Sequence, residues 1–350
     1  MKFLFNHNPG GSVPVRLGIM NALRAIGHEC QWRVQEQKSI FDVLDETKYD
    51  VLIIPSYSLN DAILRRIKES PELTVVLVGS NYGPLDNEID SEKYPILKIT
   101  EEEKVLVSKL KEVSPKSNIV VCNYTGRYLE DCMSNWRSLG FEPKCLMNAA
   151  DTFTYIGGQV KDHYMCDISM ISGKWGYKSR NLDKFFLPLC HPVGKFNIKV
   201  WGWGWELVPQ YLGQIDEGEV KHVFASTKIT INIHEPHSTV YGIEATERMY
   251  KAIVGGSLVV SDYVKTIEDD ICPELPMAKT LEELEGLVKD YLMDEDKRTT
   301  ILTSLQRHIL QHHTYLDRVA DLFGYLGLNE EKVRAIEVKG NHLGQNILPN

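Results

Sequence analysis

Gly242-Ile243-Glu244-Ala245-Thr246-Glu247-Arg248-Met249-Tyr250-Lys251-Ala252-Ile253-Val254-Gly255-Gly256-Ser257-Leu258-Val259-Val260-Ser261-Asp262 reads as a helix, a glycine stop and a strand. The glycine pair suits a helix C-cap, where a left-handed backbone carries no Cβ penalty. The spacing predicts the helix over Gly242–Val254. The apolar run beyond it predicts a strand, Ser257–Ser261, buried on both faces as in a parallel sheet. Glu244 with Arg248, and Glu247 with Lys251, fall at i,i+4. As surface ion pairs they would contribute only ~0.2–0.5 kcal/mol each.

The same grammar extends outward in both directions. Strands are predicted at Cys166–Ile171, Asn197–Trp201 and Lys228–His234, with helices at Ser179–Cys190, Gly218–Ser226, Leu281–Leu292 and from about residue 295 to 326. The first half repeats the scheme, with strands at Lys2–Asn6, His28–Val34, Asp50–Ile54, Thr74–Gly79 and Asn118–Asn123. Between them Leu17, Met20 and Leu23, and Ile63, Leu64 and Ile67 after Asn60, form helical stripes. Strand, helix, strand at this spacing makes βαβ units and an α/β, doubly wound fold. At 350 residues the chain fits two such domains. Gly157-Gly158 interrupts both periodicities and places the boundary, giving domains 1–157 and 158–328 and a loosely held tail, 329–350.

The net charge of −9 argues against a broad nucleic-acid grip. Seven dispersed cysteines without a C-x-x-C pair read as reduced thiols of a cytoplasmic protein. The N-terminus turns polar too soon for a signal peptide, and no apolar run approaches the ~18 residues of a membrane span.

Candidate chemistry sits where predicted strands end. Asn8-Pro9-Gly10-Gly11-Ser12 follows the first strand, and Gly10 and Gly11 let a phosphate approach backbone N–H groups, or merely form a tight turn. No G-x-G-x-x-G follows a strand, which counts against a nicotinamide dehydrogenase. Ser172-Gly173-Lys174-Trp175-Gly176-Tyr177-Lys178-Ser179-Arg180 is a cationic, glycine-bearing loop entering a helix, suited to a pyrophosphate. Trp201-Gly202-Trp203-Gly204-Trp205 offers an aromatic surface for a base or sugar, with at least one tryptophan expected in the core. His234-Glu235-Pro236-His237 is not H-E-x-x-H, and Pro236 argues against a helical face there. His308 and His312 lack a third ligand in the sequence. We therefore expect no metal site.

The Gly242–Asp262 block resembles the donor site of GT-B glycosyltransferases, especially the CgeB-like group. Asn232-Ile233-His234, Arg248-Met249-Tyr250-Lys251 and Gly256-Ser257-Leu258-Val259-Val260-Ser261-Asp262 match the family's blocks in order, and His313-Thr314-Tyr315-Leu316-Asp317-Arg318 is similar to its closing block. The resemblance covers Cys166–Arg318 well and residues 1–160 only generally. It implies two Rossmann-like domains facing across a cleft, residues 1–157 on the acceptor side and 158–328 binding a nucleoside-diphosphate sugar. Donor-binding candidates are Gly173, Lys174, Arg180, Trp203, His234, Glu244, Glu247 and Arg248. The family normally has a glutamate, facing the donor ribose, where this chain has Lys251. No cofactor or metal is implied, since fixed cations and helix dipoles stabilise the leaving diphosphate. Asp86 and His7 are the candidate bases for an acceptor proton. The acceptor could be a glycan, a small molecule or, as in the similar phage enzymes, a modified DNA base. The rival reading is a GT-B-like module that binds nucleotide without catalysis.

Overall fold

The computed structural model describes residues 1–6, 13–33, 48–79, 100–123 and 134–346. It divides into two compact units, Met1–Met147 with Leu316–Asn350, and Asn148–Tyr315.

The first unit is built on six parallel strands: β1 (Lys2–Asn6), β2 (Glu29–Arg33), β3 (Val51–Pro55), β4 (Thr74–Gly79), β5 (Ile119–Asn123) and β6 (Lys144–Cys145), in the order β2-β1-β3-β4-β5-β6. Helices α1 (Val13–Ala25), α2 (Asp61–Glu69), α3 (Glu101–Val113) and α4 (Ser134–Ser138) link them. Every position of β3 is buried, as its unbroken apolar run requires. The α2 stripe is seated as the sequence predicts: Asn60 caps the helix by accepting from Ala62 N and Ile63 N, and Ile63, Leu64 and Ile67 are buried.

The second unit carries five parallel strands: β7 (Cys166–Ile171), β8 (Ile198–Trp201), β9 (Thr227–Asn232), β10 (Leu258–Asp262) and β11 (Met277–Ala278), in the order β11-β10-β9-β7-β8. Its helices are α5 (Gly176–Asn181), α6 (Glu217–Ser226), α7 (Pro236–Tyr241), α8 (Glu247–Gly255), α9 (Leu281–Met293) and α10 (Glu295–His312). The chain then returns to the first unit through α11 (Tyr315–Tyr325) and α12 (Asn329–Asn346).

Four expectations need correction. Gly157-Gly158 is no boundary but lies inside the second unit, where a Cβ on Gly158 would stand 2.2 Å from the Lys221 carbonyl oxygen of α6. The glycine is there for close approach. Residues 329–346 are a helix of the first unit rather than a tail, seated by buried Ala335 and Leu343 and tied by Lys339–Asp317 and Glu331–His28. Its few apolar positions hid the stripe. The predicted helix 179–190 starts earlier, at Gly176, then widens to a π turn over Leu182–Phe186 and tightens at Leu187–Cys190. Pro188 brings no N–H to the bond that would continue an α-helix. The predicted helix 242–254 starts late, at Glu247: Pro236 opens a separate helix, α7, from the first-turn position that proline favours, and Gly242, at φ 67°, caps its end before α8 begins.

Candidate functional site

In the second sheet β7 lies between β8 and β9, so successive connections leave it in opposite directions. Parallel sheets bind ligands at the carboxyl ends of strands at such a switch point. The two exits there are Ser172–Trp175 after β7 and Ile233–Glu235 after β9.

Three glycines lock the β7 exit to the β8 exit. Ser172 N donates to Trp201 O (3.0 Å) and Lys174 N to Trp203 O (2.8 Å), prolonging the strand pairing into the loops. A Cβ on Gly202 (φ 126°) would lie 2.1 Å from Ser172 O, and one on Gly204 (φ 82°) 2.5 Å from Lys174 O. On Gly173 it would meet the Trp203 indole at 2.5 Å. The three tryptophans divide as the sequence suggests. Trp201 and Trp205 are buried, Trp205 donating from Nε1 to Ser172 O (2.5 Å), whereas Trp203 is 52% exposed above Gly173.

Arg248, in the first turn of α8, turns inward. It donates from Nη1 to Asn232 Oδ1 (3.2 Å) and from Nη2 to Ser172 Oγ (3.2 Å), so it joins the two strand exits. Thr246 Oγ1 donates to the same Asn232 oxygen (2.7 Å). Glu244 precedes the helix and is therefore not the i,i+4 partner its spacing promised. Its carboxylate faces His237 Nε2 at 3.5 Å. Glu247 and Lys251 do pair, at 2.8 Å, and Glu217 Oε1 lies 3.4 Å from the same ammonium. Lys251 is thus buried against two carboxylates and the Tyr155 ring.

The loop cations separate sharply. Lys174 pairs with Asp183 (3.0 Å), and exposed Arg180 lies over the Tyr177 ring (5.7 Å). Lys178, not among the sequence's chosen donor contacts, is the buried one, with Nζ 3.7 Å from Glu235 Oε1. Burial, and then the Arg248 charge, push its ammonium down to about 8. Burial raises Glu235, but Lys178, His237 and Arg248 outweigh it and hold the carboxyl at about 2. Arg248 is lowered by burial against the pull of Glu247, Glu235 and Asp262. The sequence placed Lys178 in the cationic loop but did not choose it over Lys174 and Arg180 as a donor contact.

His234 is fully buried, its Nδ1 2.7 Å from Asp262 Oδ1. It ties β9 to β10 and has no exposed surface. His7, Gly10, Gly11 and Asp86 lie outside the described residues. Among the described residues no three His, Cys, Asp or Glu side chains are grouped to hold a metal, and no helix is long and apolar enough to cross a membrane.

Residues 156–324 match the family model described as Glycosyl transferase-like. Solved structures similar to the chain include an α-glucosyltransferase in complex with UDP and a 13-mer DNA containing an HMU base (TM-score 0.64, 12% identity, 93% of this chain and 99% of that one). The same enzyme type in complex with UDP-glucose and DNA with an abasic site gives a TM-score of 0.61 at 11% identity, over 93% of this chain and 99% of that one. The DNA-modifying β-glucosyltransferase, solved with and without uridine diphosphoglucose, spans 99% of this chain and 100% of its own (TM-score 0.55, 14% identity). These likenesses give the fold: GT-B, two parallel sheets flanked by helices. No curated protein sequence matches the chain.

Proposed function

We propose that the protein is a glycosyltransferase of the CgeB-like group that moves a sugar from a nucleoside-diphosphate sugar to an acceptor. The observation that carries this is the buried guanidinium–ammonium pair, Arg248 and Lys178, at the switch point of a glycosyl transferase-like unit. Glu235 is the carboxylate paired with Lys178, and an entering diphosphate would supply the charge that water no longer can. Two preset cations at that point stabilise a departing diphosphate without reorganising. Trp203 extends the surface towards a base, and Arg180 and Lys174 lie on the outer loop. The first unit, with His7 or Asp86, is left to the acceptor. The uridine ligands of the similar structures make UDP the first nucleotide to test.

A thermal-shift screen against UDP-, GDP-, ADP- and dTDP-sugars tests the reading. At least one is expected to raise Tm by mass action, with EDTA leaving the shift intact. No shift from any of them would sink the donor assignment, and a strict divalent-ion requirement would sink its metal-free form. A modified DNA base as acceptor is favoured by the DNA-bound α-glucosyltransferases, which match 93% of this chain, and disfavoured by the net charge of −9. Glucose transfer to HMU-containing DNA would decide it.

A further inference from the structure

One chain of contacts at the carboxyl edge of the second sheet is used by neither the cation pair nor the tryptophan surface. Tyr177 on α5 follows β7, and His237 on α7 and Glu244 before α8 both follow β9. The Tyr177 hydroxyl is 3.1 Å from His237 Nδ1, and His237 Nε2 is 3.5 Å from Glu244 Oε2. The Tyr177 and His237 rings stack with centroids 5.8 Å apart at 21°. His237 is only 3% exposed, while Tyr177 and Glu244 are partly open.

A carboxylate only accepts, so the proton of a neutral His237 belongs on Nε2, facing Glu244. Nδ1 is then a lone pair, and the Tyr177 O–H donates to it. The lone pairs of the phenol oxygen point elsewhere, as acceptors. The chain lies on the α7 side of the Lys178–Arg248 pair, whereas Trp203 lies on the β8 side. A nucleotide with its diphosphate at the pair and its base over Trp203 therefore extends its sugar towards Tyr177.

Resting on the donor site proposed above, we propose that Glu244 and His237 are positioning residues that orient the Tyr177 phenol, whose oxygen accepts from a hydroxyl of the donor sugar. The charged and titratable groups around the imidazole are Glu244 and Glu235, with Lys178, Arg248 and His234 beyond Glu235 and Arg180 over Tyr177.

Calorimetry with UDP-glucose and with UDP, on the full chain, tests this. Tyr177→Phe should weaken UDP-glucose about tenfold and leave UDP within about twofold. His237→Gln should do likewise, and the double variant should be little weaker than either single one. Should His237→Gln fail to fold, Glu244→Gln, changed at a partly open position, takes its place in the cycle. Equal effects on both ligands, no effect, or losses that multiply in the double variant would each overturn the proposal. A parent that binds neither ligand would instead bring down the donor site itself.

Discussion

Arg248 is where a residue's type and its surroundings most tightly constrain each other. A guanidinium stays charged when buried, and its planar fork reaches two oxygens at once, here on Asn232 and Ser172. Had it been a surface ion pair with Glu244, Arg248→Ala would leave the fold untouched. Buried as it is, the substitution should cost on the order of 1–3 kcal/mol of stability by orphaning its partners. It should also weaken nucleotide-diphosphate binding by about an order of magnitude or more. Arg248→Lys, which keeps the charge and loses the fork, should recover part of the binding. Melting curves and calorimetry separate the two losses, and donor affinity equal to the parent's would remove Arg248 from the site. On the acceptor side, Asp86→Ala should lower turnover far more than donor affinity, which steady-state kinetics with a fixed acceptor would show. The sequence made Arg248 legible because its neighbours matched a familiar block. It could not single out Lys178 from Lys174 and Arg180 in the same cationic loop, because burial is a property of what surrounds a residue.

At the scale of the element, runs of β-branched and aliphatic residues announced themselves: β1, β4 and β7 begin and end where the pattern predicts. The two-residue strands β6 and β11 left no pattern to see. Loops were legible as glycines but not as to purpose. Gly202 illustrates why, since its requirement comes from the β7 exit, about thirty residues away in the chain. Gly202→Ala should destabilise by on the order of 2 kcal/mol or more, through its backbone at φ 126° and the collision with Ser172 O. Gly176→Ala, whose Cβ would meet nothing within 4 Å, is the control and should be close to neutral in a melting experiment. The α5 ammonium makes the loop pH-sensitive. The unfolded chain holds the Lys178 proton up to the ordinary lysine range and the folded one only up to about 8. Between those values the unfolded state binds more protons, so this group's contribution to stability rises with pH. A bound diphosphate favours the charged form. Its affinity should therefore fall as pH climbs through about 8, with proton uptake measurable by calorimetry in two buffers. A flat profile would take Lys178 away from the phosphates.

For the molecule as a whole, a two-domain α/β chain was readable from length and alternation, whereas the route of the chain between the domains was not. Gly157-Gly158 looked like a seam because glycine pairs often are one, and only the Lys221 carbonyl explains it otherwise. Helices α11 and α12 belong to the first unit through contacts that no local pattern encodes: Tyr325 to the Cys145 carbonyl, Arg318 to the Met147 carbonyl, and Phe323 against the rings of Phe3 and His28. His28, lowered chiefly by burial, adds an acid sensitivity: as pH falls below its ordinary value the unfolded state takes up the proton first and the unit loses stability. A chain stopped after Tyr315 should keep a folded second unit while the first becomes protease-sensitive, which limited proteolysis would show. Intact resistance would contradict the assignment of those helices. The same return of the chain dictates an order of birth. On the ribosome the second unit, encoded without interruption, can close while the first still waits with its Phe3 face uncovered, so the N-terminal half of this protein is the last part of it to be finished.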